Sequence, residues 1–163
     1  MPVNGSEAVS VMLPPTTVGC LFHMSRVVNT DSVGKARNQH MRTAAEVMRR
    51  LSQKTELDDE AKDMVAALIY CFRSIEDGIE EAMLAWEKRN YWNKVEQFRQ
   101  QWTWVGLAAS KLENVVRTDS WDQLPAQLVG LFGHFSDITI SKFTRNADAW
   151  EGAYARLMRE TEK

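Results

Sequence analysis

The chain has 163 residues, a formal net charge of −2, 44% hydrophobic and 26% charged residues, and two cysteines. That length suits one domain with a sizeable core, and the balance excludes a disordered or collagen-like chain. Eight glycines and four prolines, three of the prolines before residue 16, are too few for a glycine-rich phosphate loop or a turn-rich sandwich.

Residues 1–25 stand apart. Their only charge is Glu7, and Pro14 and Pro15 interrupt their one apolar stretch. A secretory signal needs a basic start and an unbroken apolar run, so this segment is expected to be a flexible leader. Residues 26–163 are expected to form a single helical-bundle domain. No run reaches the ~18 apolar residues of a membrane span. Cys20 and Cys71 form no C-x-x-C pair, so the expectation is a cytoplasmic protein with reduced thiols and no cofactor.

Asp31 and Ser32 offer N-caps for a first helix from Val33 to Lys54, with a stripe of Val33, Ala36, His40, Ala44, Val47 and Leu51. Thr55, Asp58 and Asp59 then supply cap residues and acidic charge suited to a helix N-terminus. Ala61, Val65, Leu68, Phe72, Ile75, Ile79, Ala82 and Trp86 follow at alternating steps of four and three, a seam through four heptads. A second seam runs through Tyr91, Val95, Phe98, Trp102, Val105, Ala109, Leu112 and Val116. The step of five between Trp86 and Tyr91 puts the seams out of phase. A tight reversal near Asn90 accounts for the slip and lays the two helices antiparallel; a continuous helix with a stutter is the alternative.

Residues 117–122 read as a loop. Asp122 is a candidate cap for a helix with Pro125 in its first turn and Leu124, Leu128, Leu131, Phe132, Phe135 and Ile138 on one face. A last helix is expected to carry Phe143, Ala147, Trp150, Tyr154 and Leu157. The fold class is all-α: an antiparallel bundle of four to five helices around two long central ones.

Charge is distributed by segment. Residues 26–54 sum to +5, residues 55–87 to −8 and residues 88–118 to +4. An acidic helix between two basic ones predicts complementary flanks across the packing grooves.

Catalytic constellations are sparse. The carboxylates Asp77, Glu80 and Glu81 are placed outward by the Ile75–Ile79 seam, with Glu76 on the flank, as a solvated face. Glu60, Asp63, Glu76 and Glu80 would be the ligands if the chain were a magnesium-dependent nucleotide pyrophosphohydrolase, and that chemistry requires them to converge inward. His40, on an apolar stripe, reads as a hydrogen-bonded core histidine, and Cys71 as a small hydrophobe.

The most suggestive stretch interleaves cations and aromatics: Lys88, Arg89, Trp92, Lys94, Arg99 and Trp104. Phosphate neutralisation plus ring stacking is what single-stranded nucleic acid requires. The same residues equally suit contact with another protein or with a second copy of the chain. The leading expectation is a non-enzymatic bundle acting through protein–protein contact and self-association, with a nucleic-acid accessory role as the alternative.

Overall fold

Alternating apolar spacing drives the architecture. In the computed structural model, which describes residues 30–160, the helices are α1 (Thr30–Gln53), α2 (Asp59–Glu87), α3 (Trp92–Arg117), α4 (Leu124–Phe132) and α5 (Ala153–Arg159). The leader and its boundary at residue 26 lie outside the described residues. No described helix is long and apolar enough to cross a membrane.

α2 is the central element. Its predicted seam from Ala61 to Ala82 is buried throughout, and Met64, Ala66, Ala67, Ile69 and Cys71 are buried as well. A helix buried on several faces has packed neighbours on several sides, and α1, α3 and α5 all contact it. Phe72, Leu68, Ile69 and Ile75 are fully enclosed; each such side chain contributes about 1.5–3 kcal/mol by leaving water. Asp58 caps the helix, its side chain accepting the Ala61 N–H at 2.7 Å.

The reversal after α2 is a hairpin. Asn90 takes the left-handed conformation (φ 61°), Tyr91 N–H donates to Trp86 O at 3.0 Å and Asn90 N–H to Glu87 O at 2.9 Å. These two bonds are the Schellman closure, with asparagine where glycine is commonest. Asp119 (φ 54°) ends α3 in the same way, with Ser120 N–H donating to Val115 O at 3.0 Å. Contacts between α2 and α3 descend one helix as they climb the other, from Trp86 on Phe98 to Phe72 on Trp104, so the pair is antiparallel.

α1 lies antiparallel on the other side of α2, Val33 reaching Gly78 at its start. Its helix extends back to Thr30, so Asp31 and Ser32 sit within the first turn rather than at a cap. The buried stripe is also shifted. Ala36 is exposed and Val33 and His40 are half-buried, whereas Met41, Ala45, Glu46 and Met48 join Ala44, Val47 and Leu51 inside. α1 buries two faces, one on α2 and one under an irregular segment from Ser136 to Asn146.

That segment replaces most of the predicted last helix. Phe143 lies in it, Ala147–Ala149 is a single 3₁₀ turn, and only α5 is α-helical. Gly152 (φ 74°) breaks the helix between them. Asp122 likewise belongs to a 3₁₀ turn (Trp121–Gln123) and makes no cap bond to α4.

The predicted charge complementarity is realised at few places. Arg99 approaches Glu87 at 3.8 Å with the expected polarity, but Arg73 of acidic α2 pairs with Glu113 of basic α3 at 2.7 Å. Lys54 closes the α1–α2 connection on Asp58 and Glu60, both at 2.7 Å. Apolar seams, not charge, set the helix order.

Candidate functional site

The six residues singled out from sequence separate into two places. Lys88, Arg89, Trp92 and Lys94 gather at the α2–α3 hairpin, because Asn90 folds the chain back there and Trp92 opens the next helix. Trp92 is 59% exposed, as are Tyr91 before it at 53% and Leu84, in the last turn of α2, at 57%. Tyr91, predicted as the first residue of a buried seam, is instead the exposed N-cap residue of α3. α3 begins only at Trp92, and the non-helical backbone of Tyr91 (φ −91°, ψ 54°) takes its ring out of the seam's phase.

The Lys94 ammonium sits 4.3 Å from the Trp86 ring centroid, a cation–π contact. Arg99 is one turn further along, 3.0 Å from Glu96 and 3.8 Å from Glu87, so its charge is compensated locally. Among the described residues no ion pair engages Lys88 or Arg89.

Trp104 lies three turns below the hairpin and is a packing residue. It meets Phe72 and Phe135 edge-on, at 5.8 and 5.9 Å, and His134 stacks flat on it at 4.0 Å. It is half-buried, off the heptad seam of α3. The reason is α4 and the turn after it, which fold over the outer face of α3 and supply Phe135.

Trp104 and His134 instead line an open cavity of about 640 Å³, together with Trp102, Arg42 and Asp137. Arg37 of α1 spans to α3 at this level, its guanidinium 5.1 Å from Phe98 and 5.0 Å from Trp102. A second, apolar groove of about 340 Å³ lies at the opposite end, between the α1–α2 connection and α4, lined by Leu57, Trp121, Pro125, Val129 and Phe132.

The carboxylates of the hydrolase alternative are not brought together. Glu60 pairs with Lys54, and Asp63 accepts the backbone N–H groups of Gly152 at 3.1 Å and Tyr154 at 2.9 Å, capping α5 from the side of α2. Glu76 lies against Gly106 of α3, and Glu80 is exposed. Among the described residues no three His, Cys, Asp or Glu side chains converge on a position for a metal. Burial pushes the Cys71 thiol up to about 11, which leaves it an unreactive hydrophobe at neutral pH.

The residue that sequence reasoning missed is Glu46, a carboxylate 2% exposed. It accepts the Thr144 N–H at 2.6 Å, the Thr144 hydroxyl at 2.8 Å and the Arg145 N–H at 2.9 Å. Burial alone would raise its pKa; the donors from Thr144 and Arg145 outweigh burial and hold it below the ordinary glutamate range. Arg50 donates to the Arg145 carbonyl at 2.8 Å and lies 4.3 Å from the Phe143 ring, and Arg49 donates to the Ile140 carbonyl. These side chains bind the irregular segment to α1 as a strap. Only one signal pointed to it, an acid among the apolar residues of a basic helix.

No known protein family matches this chain, and neither a curated protein nor a solved structure is similar enough to count as a match.

Proposed function

We propose that the chain is a non-catalytic helical bundle that works through protein–protein contact, self-associating at the hairpin end. The observation that carries this reading is the exposure of three large side chains at the hairpin end, Leu84 in the last turn of α2 and Tyr91 and Trp92 at the start of α3. Tyrosine and tryptophan anchor interfaces because one rigid ring buries much area at small entropic cost. A large apolar side chain left in water forgoes about 1.5–3 kcal/mol, so three together favour a covering surface. Sedimentation velocity across the micromolar range is expected to show a reversible dimer. Trp92→Ala is expected to weaken it by about tenfold, equivalent to 1.4 kcal/mol. A particle that stays monomeric throughout overturns the reading.

A nucleic-acid accessory role has one observation in its favour: Lys88 and Arg89, without ion pairs among the described residues, stand beside Trp92. It predicts salt-sensitive binding of a labelled single strand that weakens when Lys88, Arg89 and Lys94 are neutralised. The acidic turns of α2 next to this cluster work against it, since they repel a phosphate backbone. No retention of the strand at low salt ends this second reading.

A further inference from the structure

The outer face of α2 changes character along its length. From Asp63 to Arg73 it is covered by α5, which runs parallel to it: Asp63 caps the start of α5, and Tyr70 and Arg73 hold Glu160 at its end, at 2.6 and 2.9 Å. Beyond Arg73 the same face is open. Asp77, the adjacent pair Glu80 and Glu81, Leu84 and Lys88 follow at three- and four-residue intervals, which places them on one stripe, and all five are exposed. No ion pair among the described residues engages the four charged ones.

Along that stripe the charge changes sign at Leu84, with acids before it and Lys88 after it. A strip of this kind opposes itself when two copies run parallel, because like charges meet. Run antiparallel, the one base of each copy meets an acid of the other. We infer that a second copy of this chain docks antiparallel on the strip Asp77–Lys88, with the two-fold axis beside Leu84, so that Glu80 lies opposite Lys88 of the partner subunit.

The spacing supports this register. Glu80 and Lys88 are each four residues from Leu84, about 6 Å along the axis at 1.5 Å per residue, so a two-fold axis there brings them level. Each subunit's Leu84 then meets its symmetry mate as the apolar centre, with charges at the rim. Asp77 comes level with the partner's hairpin, the turn that carries the exposed Tyr91 and Trp92. The inference rests on the self-association proposed above and specifies its geometry.

The test uses the full chain carrying Glu80→Lys, Lys88→Glu or both, with far-UV circular dichroism confirming the fold and sedimentation velocity at low salt measuring association. Each single reversal sets like charges against each other twice, once at each symmetry-related contact. The dimer dissociation constant is expected to rise about tenfold for each. The double variant restores it to within about threefold, because both pairs become opposite again. An equimolar mixture of the two single variants forms a heterodimer that neither forms alone. A wild-type dimer indifferent to every reversal overturns this geometry and leaves self-association standing. A monomeric wild type overturns both.

Discussion

Glu46→Gln tests whether the strap is held by a buried carboxylate. In the native protein both carboxylate oxygens accept, one from Thr144 N–H and Oγ1–H and the other from Arg145 N–H. Glutamine keeps one acceptor oxygen, and its NH₂ faces a donor whichever way the amide turns. One charge-assisted hydrogen bond is lost, worth about 1.5–3 kcal/mol, and those that remain become neutral. Thr144 is exposed, so water recovers part of that loss. The expected cost is about 2 kcal/mol, a fall of roughly 8 °C in Tm for a domain of this size. Glu46→Ala, which leaves every donor without an acceptor, costs about 3 kcal/mol.

Urea denaturation followed by far-UV circular dichroism measures the difference, and hydrogen exchange at the Thr144 and Arg145 amides localises it. The pH dependence has a definite sign. Because the folded pKa lies below the ordinary glutamate value, the stabilisation is complete above about pH 4.3 and is lost as pH falls through the folded value. The gap between wild type and Glu46→Gln therefore narrows in acid. A change within about 0.5 kcal/mol at pH 7, the range of an inert surface substitution, refutes the strap as a carboxylate-held element.

Asn90 carries a left-handed conformation that glycine adopts without strain, so Asn90→Gly is expected to stabilise by up to about 1 kcal/mol. Asn90→Val destabilises by about 1–2 kcal/mol in the same denaturation assay. The two tryptophans should separate cleanly. Trp104→Ala empties the space against Phe72, Phe135 and His134 and costs about 3 kcal/mol, whereas Trp92→Ala leaves monomer stability within about 0.5 kcal/mol and acts on association alone. Asp63→Ala removes the acceptor for two N–H groups at the start of α5; a loss of about 1 kcal/mol is expected, with hydrogen exchange accelerated in α5 before the rest of the bundle.

Much of the central architecture is legible in the sequence because helix burial is periodic. The seams of α2 and α3 recur every three or four residues, and the five-residue step at Asn90 marks the one place where the phase resets. The outward direction of Glu80 and Glu81 follows from the same phase, and the sign change along that face can be read directly from the residues. The position of Trp92 at the hairpin follows too, once the reversal is placed at Asn90.

The candidate site was less legible where it depends on partners distant in sequence. Trp104 is off the α3 seam in the spacing; its half-burial comes from Phe72 of α2 and Phe135 after α4, both remote in sequence. Residues 136–146 form neither helix nor strand, and Glu46, Arg49 and Arg50 of α1, some 90 to 100 positions away, hold their backbone at Ile140, Thr144 and Arg145. α5 hides one half of α2's outer face and leaves the other open, a division set by Asp63, Tyr70 and Arg73 gripping its two ends. What repeats along the chain, the sequence by itself determined; the strap, the half-burial of Trp104 and the limits of the open strip, set by hydrogen bonds and ring contacts between remote residues, only the tertiary structure decided. The physical reason is that apolar burial acts through a local period, whereas a hydrogen bond to a distant partner leaves no trace in the residues that flank it.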